Sequence, residues 1–230
     1  MLSGKKTISD IIELYERPTE AALSPLFASK GLSYPPKKMT LLAMKQERIL
    51  ELWASDNSKD YFKIKEYPIL AASGKLGPKL REGDRQVPEG IYKVIGFNPN
   101  SAYHISMKLN YPNSFDLNMA RNEGRNNPGS DIFIHGKSAS VGCLAMGDSA
   151  IEELFTLSYK TGKNHLEVII SPSDPRKAPL VPPDNSPEWV GTIYESIENK
   201  FRLITNSKNY PLKKMEGIEA SSIQVAFPVS

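Results

Sequence analysis

From residue 39 onward the chain takes on the short, apolar, β-branched rhythm of a sheet, and that change of pattern limits the folds open to it. Residues 39–44, 48–54, 61–71, 91–97 and 103–109 are runs rich in Ile, Leu, Val and aromatics, separated by turn-forming residues. Asp56-Asn57-Ser58 predicts one hairpin turn and Asn98-Pro99-Asn100-Ser101 another. Short strands in succession through tight turns give a mostly antiparallel sheet. Helical patterns flank it. Ile8, Ile11, Ile12 and Tyr15 share one helical face, with Pro18 ending that helix and a short second one expected over 20–30. Residues 148–160 place Ile151, Leu154, Phe155 and Tyr159 on one face, capped by Asp148 or by a Ser149–Glu152 capping box. Ser186-Pro187 opens a last helix whose Trp189, Ile193, Ile197, Phe201 and Ile204 make a core-facing stripe. A final edge strand is expected over 222–227. The fold class is therefore α+β, mostly antiparallel β with flanking helices. The divisions expected are a helical arm and linker over 1–37, a β-rich domain over 38–172, and a helical extension over 173–230 packed on that domain.

Charge and cysteine content exclude several functions. The net charge is +3 and no run of Lys or Arg exceeds two residues, so no nucleic-acid partner is expected. A single cysteine permits neither an intrachain disulfide nor a dithiol redox pair. The spacing of His104, His135, His165 and Cys143 does not suit zinc, and no metal or cofactor is expected. No apolar run approaches the roughly 18 residues that span a bilayer. Residues 1–7 hold no apolar leader, which taken alone points to the cytoplasm if Met1 is the true start.

Chemistry concentrates between Asp131 and Asp148. Ile132-Phe133-Ile134 reads as a short buried strand that delivers His135 to its end, where Gly136 lets the chain turn. Seven residues separate His135 from Cys143, which is preceded by Gly142. A loop with a glycine at each end doubles back easily, so imidazole and thiol are expected to face each other. A free thiol is only a few per cent thiolate at neutral pH; an imidazole that takes its proton would hold it as an ion pair. Backbone amides beside Gly142 are expected to face an oxyanion. Asp131 is the one carboxylate of the motif on the strand face of His135. The long polar segment over 113–130 reads as a loop shaping the site, with Arg121 and Arg125 as candidate forks for a carboxylate. The alternative is a small buried cysteine and a histidine that is merely hydrogen-bonded in place. His165 reads as a surface residue.

His135-Gly136 followed by Ser140-Val141-Gly142-Cys143 resembles the H-G…S-x-G-C signature of YkuD-type L,D-transpeptidase catalytic domains. The short spacing, and Ala145 where the wider family carries arginine, resemble its compact YafK-like branch. The likeness extends over Gly83–Tyr92 and the Asn98–Ser101 and Asn110–Asn113 segments, and covers roughly residues 39–171. It implies Cys143 as nucleophile and His135 as base, with the Gly136 carbonyl orienting the imidazole. It also implies Gly142, Ser140, His104 and Arg125 on the substrate or oxyanion side. The substrate implied is the stem peptide of peptidoglycan, with either cross-linking or hydrolytic release of a peptidoglycan-linked lipoprotein as outcome. That substrate lies in the periplasm, which implies an export segment absent from this sequence. The alternative is a non-catalytic wall-binding protein with a structural cysteine.

Overall fold

A computed structural model describes residues 4–205. One mixed sheet carries nine strands, β1 (Lys38–Met44), β2 (Ile49–Ser55), β3 (Phe62–Pro68), β4 (Ala71–Ala72), β5 (Gly90–Ser101), β6 (His104–Leu109), β7 (Phe133–His135), β8 (Leu144–Ala145) and β9 (Leu166–Ser171). Their order is β3-β2-β1-β9-β5-β6-β7-β8-β4. Pairing is antiparallel except for β1–β9 and β7–β8. The helices are α1 (Ile8–Ala28), α2 (Ser114–Asn122), α3 (Asp148–Thr161) and α4 (Val190–Thr205). The class is α+β, as the strand and helix patterns predict.

Strand alternation explains the layering. Along β1, Leu41 and Ala43 enter the core shared with α1 and α3, whereas Leu42 and Met44 enter a second core shared with α4. The sheet is thus covered on both faces, and β1 is buried at every position after Lys38. The stripe on α4 is buried at Val190, Ile193, Tyr194, Ile197, Phe201 and Ile204. The edge strand expected over 222–227 lies outside the described residues.

Several local expectations are corrected. α1 runs unbroken through Pro18 and Pro25. Both prolines sit on the solvent face, and Leu14, whose carbonyl Pro18 cannot bond, is 55% exposed, so the lost intrahelical bond is left on the side open to solvent, where it costs least. The segment expected as one strand over 61–71 divides into β3 and β4, which pair with different neighbours. Asn98 and Pro99 make no turn. The Asn98 side chain accepts from the Asn100 amide at 2.9 Å, the register shifts there, and the chain reverses at Ala102-Tyr103. The 113–130 segment contains α2, started by a capping box between Asn113 and Asp116. No capping box forms at Ser149: α3 begins after Gly147 without a side-chain cap, and Asp148 accepts from the Lys137 amide at 2.8 Å instead.

The N-terminal arm is continuous with the main core, because Ile11, Leu23 and Phe27 of α1 are fully buried in the cluster that includes α3 and the sheet. Truncating Leu23 to alanine is expected to lower stability by about 2–5 kcal/mol, the usual cost of a core leucine. Chemical denaturation checks this. A loss under about 0.5 kcal/mol, typical of surface sites, would make α1 a peripheral arm.

Candidate active site

The site is built at the β7–β8 ladder. Parallel pairing sets Ile134 beside Leu144 and His135 beside Ala145. Ile134 and Leu144 are fully buried in the main core, so their neighbours along each strand face the other way. One step back in register brings Cys143 beside Phe133, whose amide donates to Sγ at 3.4 Å. Strand spacing then places the α-carbons of His135 and Cys143 about 8 Å apart on one face.

His135 is buried and its tautomer is fixed. Nδ1 lies 2.7 Å from the Gly136 carbonyl oxygen, which can only accept, so Nδ1 carries the hydrogen and Nε2 keeps a lone pair. The Tyr103 ring packs against the imidazole at 4.5 Å between centroids. Burial lowers the His135 pKa, opposed by the Gly136 hydrogen bond. The Asp131 carboxylate is turned away to Lys108 at 2.6 Å and does not orient the imidazole. Glycine is needed at 136 for space: a Cβ there would meet Asp148 Oδ1 at 2.6 Å and the Tyr103 carbonyl at 2.8 Å.

The Cys143 thiol is held by the Phe133 amide and by the Asp131 carbonyl, the latter at 3.8 Å. No bond among the described residues joins it to His135 in this state. Burial raises its pKa, and the Phe133 amide and the Lys79 ammonium only partly oppose that. Both shifts favour the uncharged forms, because the desolvation that buries the pair disfavours both charges; the expected thiolate–imidazolium contact is not formed in this state.

The loop between them is braced by two serines. Ser140 Oγ donates to the Cys143 carbonyl at 2.6 Å and accepts from the Cys143 amide at 3.2 Å. Ser73 Oγ donates to the Arg85 carbonyl at 2.7 Å and accepts from the Gly142 amide at 2.6 Å. Each hydroxyl has spent its one hydrogen, so their 3.3 Å approach is a contact of two acceptors. The Gly142 and Cys143 amides, expected to face an oxyanion, are thus already satisfied inside the loop. Gly142, with φ +91°, and Ser140 shape the loop here.

The other expected substrate-side residues have their side chains engaged by neighbours. His104 Nε2 meets Glu152 at 2.8 Å and Tyr15 at 3.4 Å, tying the β5–β6 hairpin to α3 and α1. Arg125 spends Nε and Nη2 on Glu123 and Nη1 on the Leu80 carbonyl, which leaves no fork open. Arg121 reaches Asn118 on its own helix. His165 is exposed in a short 3-10 turn. Tyr103, Ser73 and Lys79 were not singled out by the sequence. Tyr103 had a local signal, an aromatic at a hairpin tip, whereas Ser73 and Lys79 reach the site only through long-range folding.

A catalytic-domain family is defined by these features. A family model for the YkuD L,D-transpeptidase catalytic domain matches residues 39–170, and the chain belongs to that family. The protein named "Putative L,D-transpeptidase YafK" in Escherichia coli (strain K12) is 34% identical over 133 residues, 56% of this chain and 51% of its own length. The Escherichia coli O157:H7 protein of the same name matches equally. The chain thus spans about half the length of these curated relatives. Among solved structures, the helical cell shape determining protein Pgp2 from Campylobacter jejuni is 22% identical, with 60% of this chain and 48% of that one covered and a TM-score of 0.48. Bd1075 of Bdellovibrio bacteriovorus is 19% identical, with 76% and 58% covered and a TM-score of 0.45.

The raised thiol pKa fixes the pH response of Cys143. Its alkylation by iodoacetamide is expected to be slower than that of free cysteine at neutral pH, and to rise only above the free thiol's range. A rate already at its plateau at about pH 6 would demonstrate a resting thiolate instead.

Proposed function

We propose that this chain carries out cysteine-dependent acyl transfer on peptidoglycan stem peptides, acting in the periplasm. Family membership supports a peptidoglycan-modifying role. The observation that supports the catalytic assignment is the fixed tautomer of His135, which leaves Nε2 as a proton acceptor on the strand face shared with Cys143. In the proposed step, Sγ attacks the carbonyl carbon of an L,D-peptide bond while Nε2 removes the thiol proton. The C–N bond then breaks, the proton passes to the departing amine, and an acyl thioester remains on Cys143. Attack by a second amine gives a cross-link; attack by water gives hydrolysis, which on a lipoprotein-linked stem releases the lipoprotein. Exposed apolar groups at Val141 and Tyr103 flank the pair and offer surface to a peptide. No helix among the described residues is long and apolar enough to cross a membrane.

Substituting Cys143 by alanine is expected to abolish turnover while leaving the fold intact. His135→Ala should lower the rate by about 10²- to 10⁴-fold, the usual worth of a positioned general base. Mass spectrometry of purified tetrapeptide and lipoprotein-linked muropeptides, with and without added amine, reads the products. Dimers identify transfer to an amine, and shortened or released stems identify hydrolysis. Near-normal turnover by the alanine variant at 143 would end the proposal. Equal sacculus binding by both proteins with no turnover in either would favour the wall-binding alternative.

A further inference from the structure

Beside the Cys143 loop opens a cavity of about 780 Å³ that the mechanism above does not use. Its walls include Lys75, Leu76, Arg81, Gln86, Arg125 and Pro183. Pro183 and its neighbours belong to the segment leading to α4, outside the 39–170 family match. Gln86 joins the cavity to the catalytic loop, because its carbonyl lies 3.5 Å from where a Cβ on Gly142 would stand.

The walls are cross-tied. Lys45 Nζ, with a side chain 5% exposed, pairs with the fully buried Glu89 at 2.8 Å and also donates to the carbonyls of Lys75, Gly77 and Val87. Glu89 in turn accepts from the Gly77 amide and from the Tyr194 hydroxyl of α4. Gln86 bridges Lys75 and Gly77 within the loop, and Arg125 reaches across to the Leu80 carbonyl. A cavity held this way is preformed, so an occupant pays little to order it.

Its charges are unevenly committed. Asp84 is held by Lys79 at 2.5 Å, and Arg125 by Glu123. Lys75 and Arg81 are exposed, and neither side chain makes a hydrogen bond or ion pair among the described residues. Asp184 is the one unpaired carboxylate on the lining, which leaves a net excess of one positive charge among the uncommitted groups.

We propose that this cavity is a subsite for a carboxylate-bearing portion of the peptide that acylates Cys143, with Lys75 and Arg81 meeting the carboxylate. The subsite rests on the acyl-transfer reading, and binding separates the two. The experiment titrates the Cys143→Ala protein by calorimetry with a tetrapeptide muropeptide bearing free carboxylates, and with the same compound as its carboxamide. The free-carboxylate form should bind about fivefold tighter, the worth of exposed ion pairs, and the preference should shrink at high salt. In the protein that also carries Lys75→Gln and Arg81→Gln the preference should disappear, while the carboxamide affinity stays unchanged. Equal affinity for both compounds, no binding of either, or a preference that survives the double substitution would overturn the subsite. Turnover by the protein with Cys143 intact, without any carboxylate preference, would remove the subsite alone; a preference without turnover would remove the catalytic reading alone.

Discussion

The parallel pairing of β7 with β8 is the constraint on which the site depends. Two strands of three and two residues run the same way side by side, so the connection between them must leave one end and return to the other. Only seven residues separate His135 from Cys143, and the loop is too short to carry the helix that such a crossover usually uses. It closes because Gly142 takes a positive φ and Gly136 passes against Asp148 and Tyr103, where a side chain would clash. Ser140, Ser73 and Asp148 then accept the amides that the tight path leaves without ladder partners.

Burial sets the chemistry of the pair. The imidazole and thiol are both drawn into the edge of the core, and desolvation pushes each toward its neutral form. A neutral imidazole with its hydrogen on Nδ1 leaves the Nε2 lone pair free. The same burial explains why the Gly136 carbonyl rather than a carboxylate orients the ring: a third charge here would have to be desolvated as well.

The architecture was legible because both periods were clean. The alternation in β1 and the four-residue stripe on α4 survive into the structure because each faces its own core. His135 and Cys143 were legible for a different reason, since motif and glycines mark the loop locally. What stayed hidden depended on distant partners. His104 sits one residue from Tyr103, yet its imidazole is claimed by Tyr15 and Glu152 from two other elements. Arg125 lies in a polar stretch that suggested a free fork, until Glu123 and the Leu80 carbonyl used its donors. Pro18 misled because a breaker costs least where water can bond the freed carbonyl, and exposure is a tertiary property.

Intact-mass spectrometry of the unsubstituted protein mixed with a stem-peptide substrate addresses the central claim directly. Catalysis through Cys143 predicts a transient mass increase equal to the acyl fragment, mapped by digestion to the peptide containing Cys143 and removed by hydroxylamine, as a thioester requires. Turnover without any adduct under rapid quenching, or an adduct mapped to another residue, would contradict it.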